Sequence, residues 1–300
     1  MSPSPAGLAL SCRLPVRWAA QDGFKGGFLT FPDQVLTVDP TASQFYDRAF
    51  AKWLPTARTQ VSPDGRRYAY AGEMTYPYAS GNLHVVDVAT GVDKVVYSSD
   101  TAYSVVDFAA AGIYLTSGPA RDGATRGLWL EDPSGGQPKR ISSEILDPAV
   151  GSGAAWGLHF DAADPSPGPG GLEGPRNEVL RFDLSTGAST PWFYRPGARL
   201  WILGFDAAGH PFVRVYRQAN VTEPVELWLV QSQSQAIRLF AGGGPTPAQL
   251  GAVDSHGVWF DSHRVSPNTV WLYAGGSLQT VATVDMVGVF DVFVAGGCVP

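Results

Sequence analysis

The chain lacks most of the patterns that identify a soluble enzyme from sequence. No segment long enough for a globular helix carries the 3.6-residue apolar period, which excludes helical bundles and α/β layers. The best helical stretch, Thr41 to Trp53, reads as a loop and a strand. Basic residues number 21, only four of them lysine, and they form no run. With a formal net charge of −6, neither nucleic acid nor an anionic membrane surface is an expected partner. The arginine skew reads mainly as a GC-rich coding sequence. The five histidines, His84, His159, His210, His256 and His263, have no zinc-site spacing. There is no Gly-x-Ser-x-Gly elbow, phosphate-binding glycine loop or dinucleotide fingerprint. Met1 to Ser11 has no positive n-region, and its apolar stretch is too short for a secretory signal. Residues 1–11 are expected to be a flexible linker remnant behind an export signal or membrane anchor.

What the chain does have is turn chemistry and a returning strand. Thirty-five glycines and 24 prolines suit a polypeptide that reverses about every ten residues. One strand type recurs as Gln34–Asp39, Asn82–Asp87, Gly127–Asp132, Glu178–Asp183, Glu226–Gln231 and Thr269–Ala274. A spacing of 43 to 51 residues marks a repeat of four short strands. Tight turns precede most copies, as at Val61–Gly65, Phe205–Gly209 and Val253–Gly257, and polar turns such as Ala89–Gly91 and Ser185–Gly187 follow. Residues 12–300 are therefore expected to form a single all-β domain, a six-bladed β-propeller.

The segment Val61-Ser62-Pro63-Asp64-Gly65-Arg66-Arg67-Tyr68-Ala69-Tyr70, with Leu83 to Asp87 and Ala89-Thr90-Gly91 after it, resembles the WD-like repeat of the bacterial TolB-type propellers. The other units keep the glycine and the apolar positions and lose Pro-Asp. The resemblance implies a propeller and supplies no catalytic group.

A propeller must close its ring or leave open edges. Val287 to Gly297 reads as the first strand of a unit at which the chain stops. In the N-terminal unit, Gly27–Phe31 reads as the second strand and Leu14–Trp18 as a weaker candidate for the first. The C-terminal strand is therefore expected to be the innermost strand of the N-terminal unit. Cys12 and Cys298, the only cysteines, flank this closure and are expected to form a disulfide. Such a bond implies an extracytoplasmic protein, whether secreted, periplasmic or anchored at the cell surface.

Two functional readings follow. In the first the protein is not an enzyme and needs no cofactor: variable loops on a rigid scaffold carry recognition. The connections near residues 72–81, 118–126 and 161–177 would emerge on one face with Tyr76, Tyr78, Arg121, Arg126, Arg176, Arg217 and Arg264. Arg58, Tyr103, Arg195 and Arg199 would join them from the links between blades. Tyr and Arg are enriched at binding hot spots, so the partner would be a protein, peptide or glycan. In the second reading Asp107, Asp206, Asp254 and Asp291 on inner strands hold a divalent cation such as calcium in the central channel. The activity would then be a metal-dependent lactonase-like hydrolase or a lyase. Asp107, Asp206 and Asp254 also sit where turn-capping residues belong.

Overall fold

Alternating apolar residues between Gly and Asp turns fold as strands almost throughout. The computed structural model describes residues 10–72, 81–99, 103–117, 126–159, 176–217, 224–262, 267–285 and 288–300, with only the backbone of Glu144 and Arg217. Strands β1 (Cys12–Ala20), β2 (Gly23–Phe31) and β3 (Val35–Val38) form an antiparallel meander. A hairpin of β4 (Phe45–Asp47) and β5 (Lys52–Leu54) follows, then a single 3-10 turn at Arg58–Gln60. The next meander contains β6 (Arg67–Ala71), β7 (Gly81–Asp87) and β8 (Asp93–Ser99), with a lone bridge from Val61 to Tyr68 on its inner edge.

Strands β9 (Tyr103–Ala109), β10 (Gly112–Ser117), β11 (Arg126–Glu131), β12 (Lys139–Gly151), β13 (Ala154–His159), β14 (Glu178–Asp183) and β15 (Ser189–Tyr194) pair successively in one seven-stranded sheet. Strand β12 belongs to two units. Its first part pairs with β11 and its second with β13. Two four-stranded sheets complete the body. One contains β16 (Ala198–Phe205), β17 (Pro211–Arg217), β18 (Val225–Ser232) and β19 (Gln235–Gly242), the other β20 (Gln249–Asp254), β21 (Gly257–Asp261), β22 (Asn268–Ala274) and β23 (Ser277–Val284). Finally β24 (Asp291–Val294) returns to β1, pairing Val294 with Val16 and Asp291 with Ala19.

The chain ends therefore meet as expected, with one correction inside the first sheet. Its order is β24-β1-β2-β3, so the segment around Leu14–Trp18 is the second strand and Gly27–Phe31 belongs to the third. Gln34–Asp39, grouped above with third strands, forms the outer edge instead. The alternation of β1 explains the placement: Cys12, Leu14, Val16 and Trp18 are all buried, while Val35 and Val38 of β3 are exposed. An outer strand can carry the same apolar letters as an inner one when only one of its neighbours is present.

The tail beyond β24 continues the pairing. Arg13 and Val299 exchange two backbone hydrogen bonds of 2.7 and 2.9 Å. Cys12 and Cys298 form the expected disulfide, with Cα atoms 5.8 Å apart. Around it the largest apolar cluster packs Leu10, Leu14, Val16, Trp18 and Leu29 of the first sheet on Trp259, Val270, Leu272 and Val284 of the last. Four other clusters fill the spaces between consecutive units in the same way. A sixth, smaller cluster lies between the first sheet and the β4–β5 hairpin. There Phe28, Trp53, Ala295 and Val299 pack with Tyr46 of the β4–β5 hairpin.

Candidate functional site

The aspartates that end many strands prove to be turn builders. Asp87 Oδ1 accepts the backbone N–H of Thr90 at 2.8 Å, Asp132 that of Ser134 at 2.7 Å, and Asp183 that of Ser185 at 2.9 Å. These bonds and the neighbouring hydroxyls hold the Asp183 carboxyl down at about 2. In the Ser-Pro-Asp-Gly turn, Ser62 Oγ accepts from Arg67 N at 2.9 Å and donates to Asp64 at 2.7 Å. Two of the four inner-strand carboxylates, Asp206 and Asp254, behave alike. Asp206 Oδ1 caps Ala208 and His210 at 3.0 and 2.8 Å, and its Oδ2 meets His210 Nδ1 at 2.9 Å. Asp254 receives three N–H groups, from His256 N at 2.7 Å, Trp259 Nε1 at 2.9 Å and Cys298 N at 2.7 Å. Asp107 does not share this role with them. Among the described residues no three His, Cys, Asp or Glu side chains gather into a group able to hold a metal ion.

Asp107 instead faces a cavity of about 550 Å³ where strands of four units converge. Val105 of β9, Val150 of β12, Phe205 of β16 and Val253 of β20 all line it, together with Arg58. Burial pushes the Asp107 carboxyl up to about 6, against the pull of Arg58. Burial likewise lowers the pKa of Arg58, which Asp107 partly offsets. Arg58 thus stands in the channel and not on the loop face. Beyond it a second cavity of about 290 Å³ is lined by Arg17, Gln44, Gln249 and Phe293, and shares Arg58, Thr59 and Leu203 with the first. Arg17 escaped notice in the sequence because it lies inside a strand, and its only signal was a charge between two buried apolar neighbours, Val16 and Trp18.

The opposite end of the units, where second strands end and first strands begin, carries stacked Arg and aromatic side chains. The Arg195 guanidinium lies 4.5 Å from the Phe193 ring centre and 4.2 Å from that of Trp228. Arg199 lies 4.6 Å over Trp201, which stacks on Tyr216 at 5.3 Å and 22°. Trp201 and Tyr194 remain 37% and 39% exposed. Tyr103 packs edge-on against Trp129 at 5.4 Å. On the second unit Tyr70 stacks on His84 at 4.5 Å, and both bond to Asp93, at 2.6 and 2.9 Å. The bond to Asp93 pushes the Tyr70 hydroxyl up to about 12.

Of the residues expected on this face, Arg126 is exposed at the start of β11. Arg217 ends β17. Arg176 is buried and turned inward, where it pairs with Asp147. Tyr76, Tyr78, Arg121 and Arg264 lie outside the described residues. Trp201, Tyr194 and Tyr216 were not singled out from sequence, since within a strand an aromatic residue reads as core.

In sequence the chain matches no family model and no curated protein. Its backbone is similar to that of TolB from Acinetobacter baumannii, with a TM-score of 0.55 at 12% identity over 97% of this chain and 68% of the other. An oligogalacturonate lyase in complex with manganese gives 0.52 at 14% identity over 89% and 73%. The acylaminoacyl peptidase of Pyrococcus horikoshii gives 0.54 at 12% identity over 92% of this chain and 45% of that larger one. These proteins differ in activity and share the architecture, so the likeness speaks for the backbone alone. The fold of this chain is that of the TolB-like β-propellers.

Proposed function

We propose that the chain is a six-bladed β-propeller of an extracytoplasmic compartment that performs no chemistry and binds a protein, peptide or glycan on its long-loop face. Six units can be counted when β12 is shared between two of them and Val61 stands for the inner strand of the second. The disulfide supports an oxidising compartment. The observation that carries the binding reading is the half-open Trp201, held by contacts with Arg199 and Tyr216 beside the Arg195 stack. Trp, Tyr and Arg are the residues on which binding energy concentrates, and rings held in place by stacking lose little entropy when a partner arrives. A glycan ring would use the flat indole face, and a peptide would use the guanidinium forks.

The catalytic alternative asks the inner aspartates to hold a metal, yet Asp206 already accepts from the N–H of Ala208 and His210, and Asp254 from His256 N, the Trp259 indole and Cys298 N. Screening the purified protein against glycan and peptide arrays tests the reading, followed by titration of the best ligand into Trp201→Ala. The loss expected is about 2 kcal/mol, roughly thirtyfold in Kd. Unchanged affinity in that variant, or turnover of a lactone or oligogalacturonate stimulated by calcium or manganese, would sink it.

A further inference from the structure

The smaller channel cavity holds two cations and no anion. Arg17 and Arg58 both line it, with the amides of Gln44 and Gln249 and the rings of Phe45 and Phe293, and among the described residues no Asp or Glu does. Among the described residues neither guanidinium has a hydrogen bond or ion pair partner there. Arg17 lies 5.1 Å over the Phe24 ring, and Asp107 acts on Arg58 only from beyond ion-pair distance. Burial lowers the pKa of both, an effect that Asp107 partly offsets at Arg58. Charges removed from water are ordinarily paired, because the desolvation cost is several kcal/mol per ion. Two unpaired guanidinium groups on one cavity therefore form a receptor for an oxyanion, which Arg binds through parallel N–H bonds.

The surroundings narrow the choice. The adjoining larger cavity contains Asp107 and Asp206, whose charges disfavour a doubly charged phosphate next to them. Phe45 and Phe293 offer a wall to hydrocarbon. We propose that this cavity binds a small monocarboxylate with a short apolar body, its carboxylate clasped by Arg17 and Arg58. The site is separate from the loop face and stands whether or not that face binds a macromolecule.

Isothermal titration of the full chain with hexanoate, hexanol and inorganic phosphate tests it. Saturable binding of hexanoate alone, at one per chain, is expected, weakened about tenfold or more in Arg17→Gln and in Arg58→Gln. A wild-type arm needs no variant: hexanoate should raise the melting temperature, and hexanol at equal concentration should not. No hexanoate binding, equal binding of hexanol or phosphate, or full affinity in folded forms of both variants overturns the assignment.

Discussion

Replacing Cys12 and Cys298 by serine removes a cross-link between residues 286 positions apart, nearly the whole chain. Loop-closure entropy over such a span corresponds to roughly 5–6 kcal/mol at 25 °C, a ceiling because measured effects track loop length only weakly. Part of that restriction survives without the bond. Strand β24 still pairs with β1, the Arg13–Val299 bridge persists, and Leu14 and Trp259, both fully buried, still pack across the seam. The double serine variant should therefore fold, yet lose about 2–5 kcal/mol. For 300 residues the unfolding entropy is about 0.6 kcal/mol per degree, so the melting temperature should fall by about 3–8 °C. The assay is urea unfolding followed by tryptophan fluorescence, on oxidised wild type, wild type in reductant and the variant. Reductant should bring wild type down to the variant and leave the variant itself unmoved. Coincident curves for all three would refute the argument that covalent closure constrains the unfolded chain.

The remaining predictions concern single groups. Because burial raises the Asp107 carboxyl to about 6, the folded state holds its proton more tightly than the unfolded chain does. Its contribution to stability is thus full below about pH 4 and is lost as pH rises through 6, by at most about 3 kcal/mol. Asp107→Asn should flatten that part of the stability profile between pH 4 and 7, and an unchanged slope in urea titrations would count against it. Asp254→Ala releases three part-buried N–H donors, one belonging to the disulfide partner Cys298, and should cost about 2–4 kcal/mol. Asp206→Ala, at a more exposed turn, should cost less, and comparing the two melting temperatures checks the order. At Gly257, with φ of +139°, a Cβ would stand 2.1 Å from the Tyr273 carbonyl oxygen. Gly257→Ala should therefore destabilise by about 3 kcal/mol or more, measured by the same urea unfolding.

How far the sequence foretold the structure depended on local chemistry. Units marked by their own turns were legible: the Asp-x-Ser/Thr turns at Asp132 and Asp183 and the Ser62–Gly65 turn set strand ends through bonds within four or five residues. The seam was legible because both cysteines and an orphan strand pointed to it. The first sheet was misassigned by one strand, since Val35 and Leu36 look like core letters and nothing local says that β3 has a neighbour on one side only. The candidate sites were harder to see. Whether Arg58 emerges on a face or lines a channel, and whether Arg176 reaches solvent or Asp147, depends on contacts between units far apart in sequence. Trp201 and Tyr216 meet diagonally across β16 and β17, a contact that strand periodicity gives no reason to call exposed.

Strand β12 runs without a break from one unit into the next, whereas other units are joined through loops or short turns. The two meanders that β12 links consequently share a strut and should move as one stiff plate. The connection from the first sheet to the second is lighter among the described residues: the short β4–β5 hairpin rests on the first through the Phe28–Trp53 cluster and reaches the second through the Lys52 Nζ bond to Val88 O at 3.2 Å. Any opening of the body toward its inner cavities should occur at that joint, beside the cavity lined by Arg17 and Arg58.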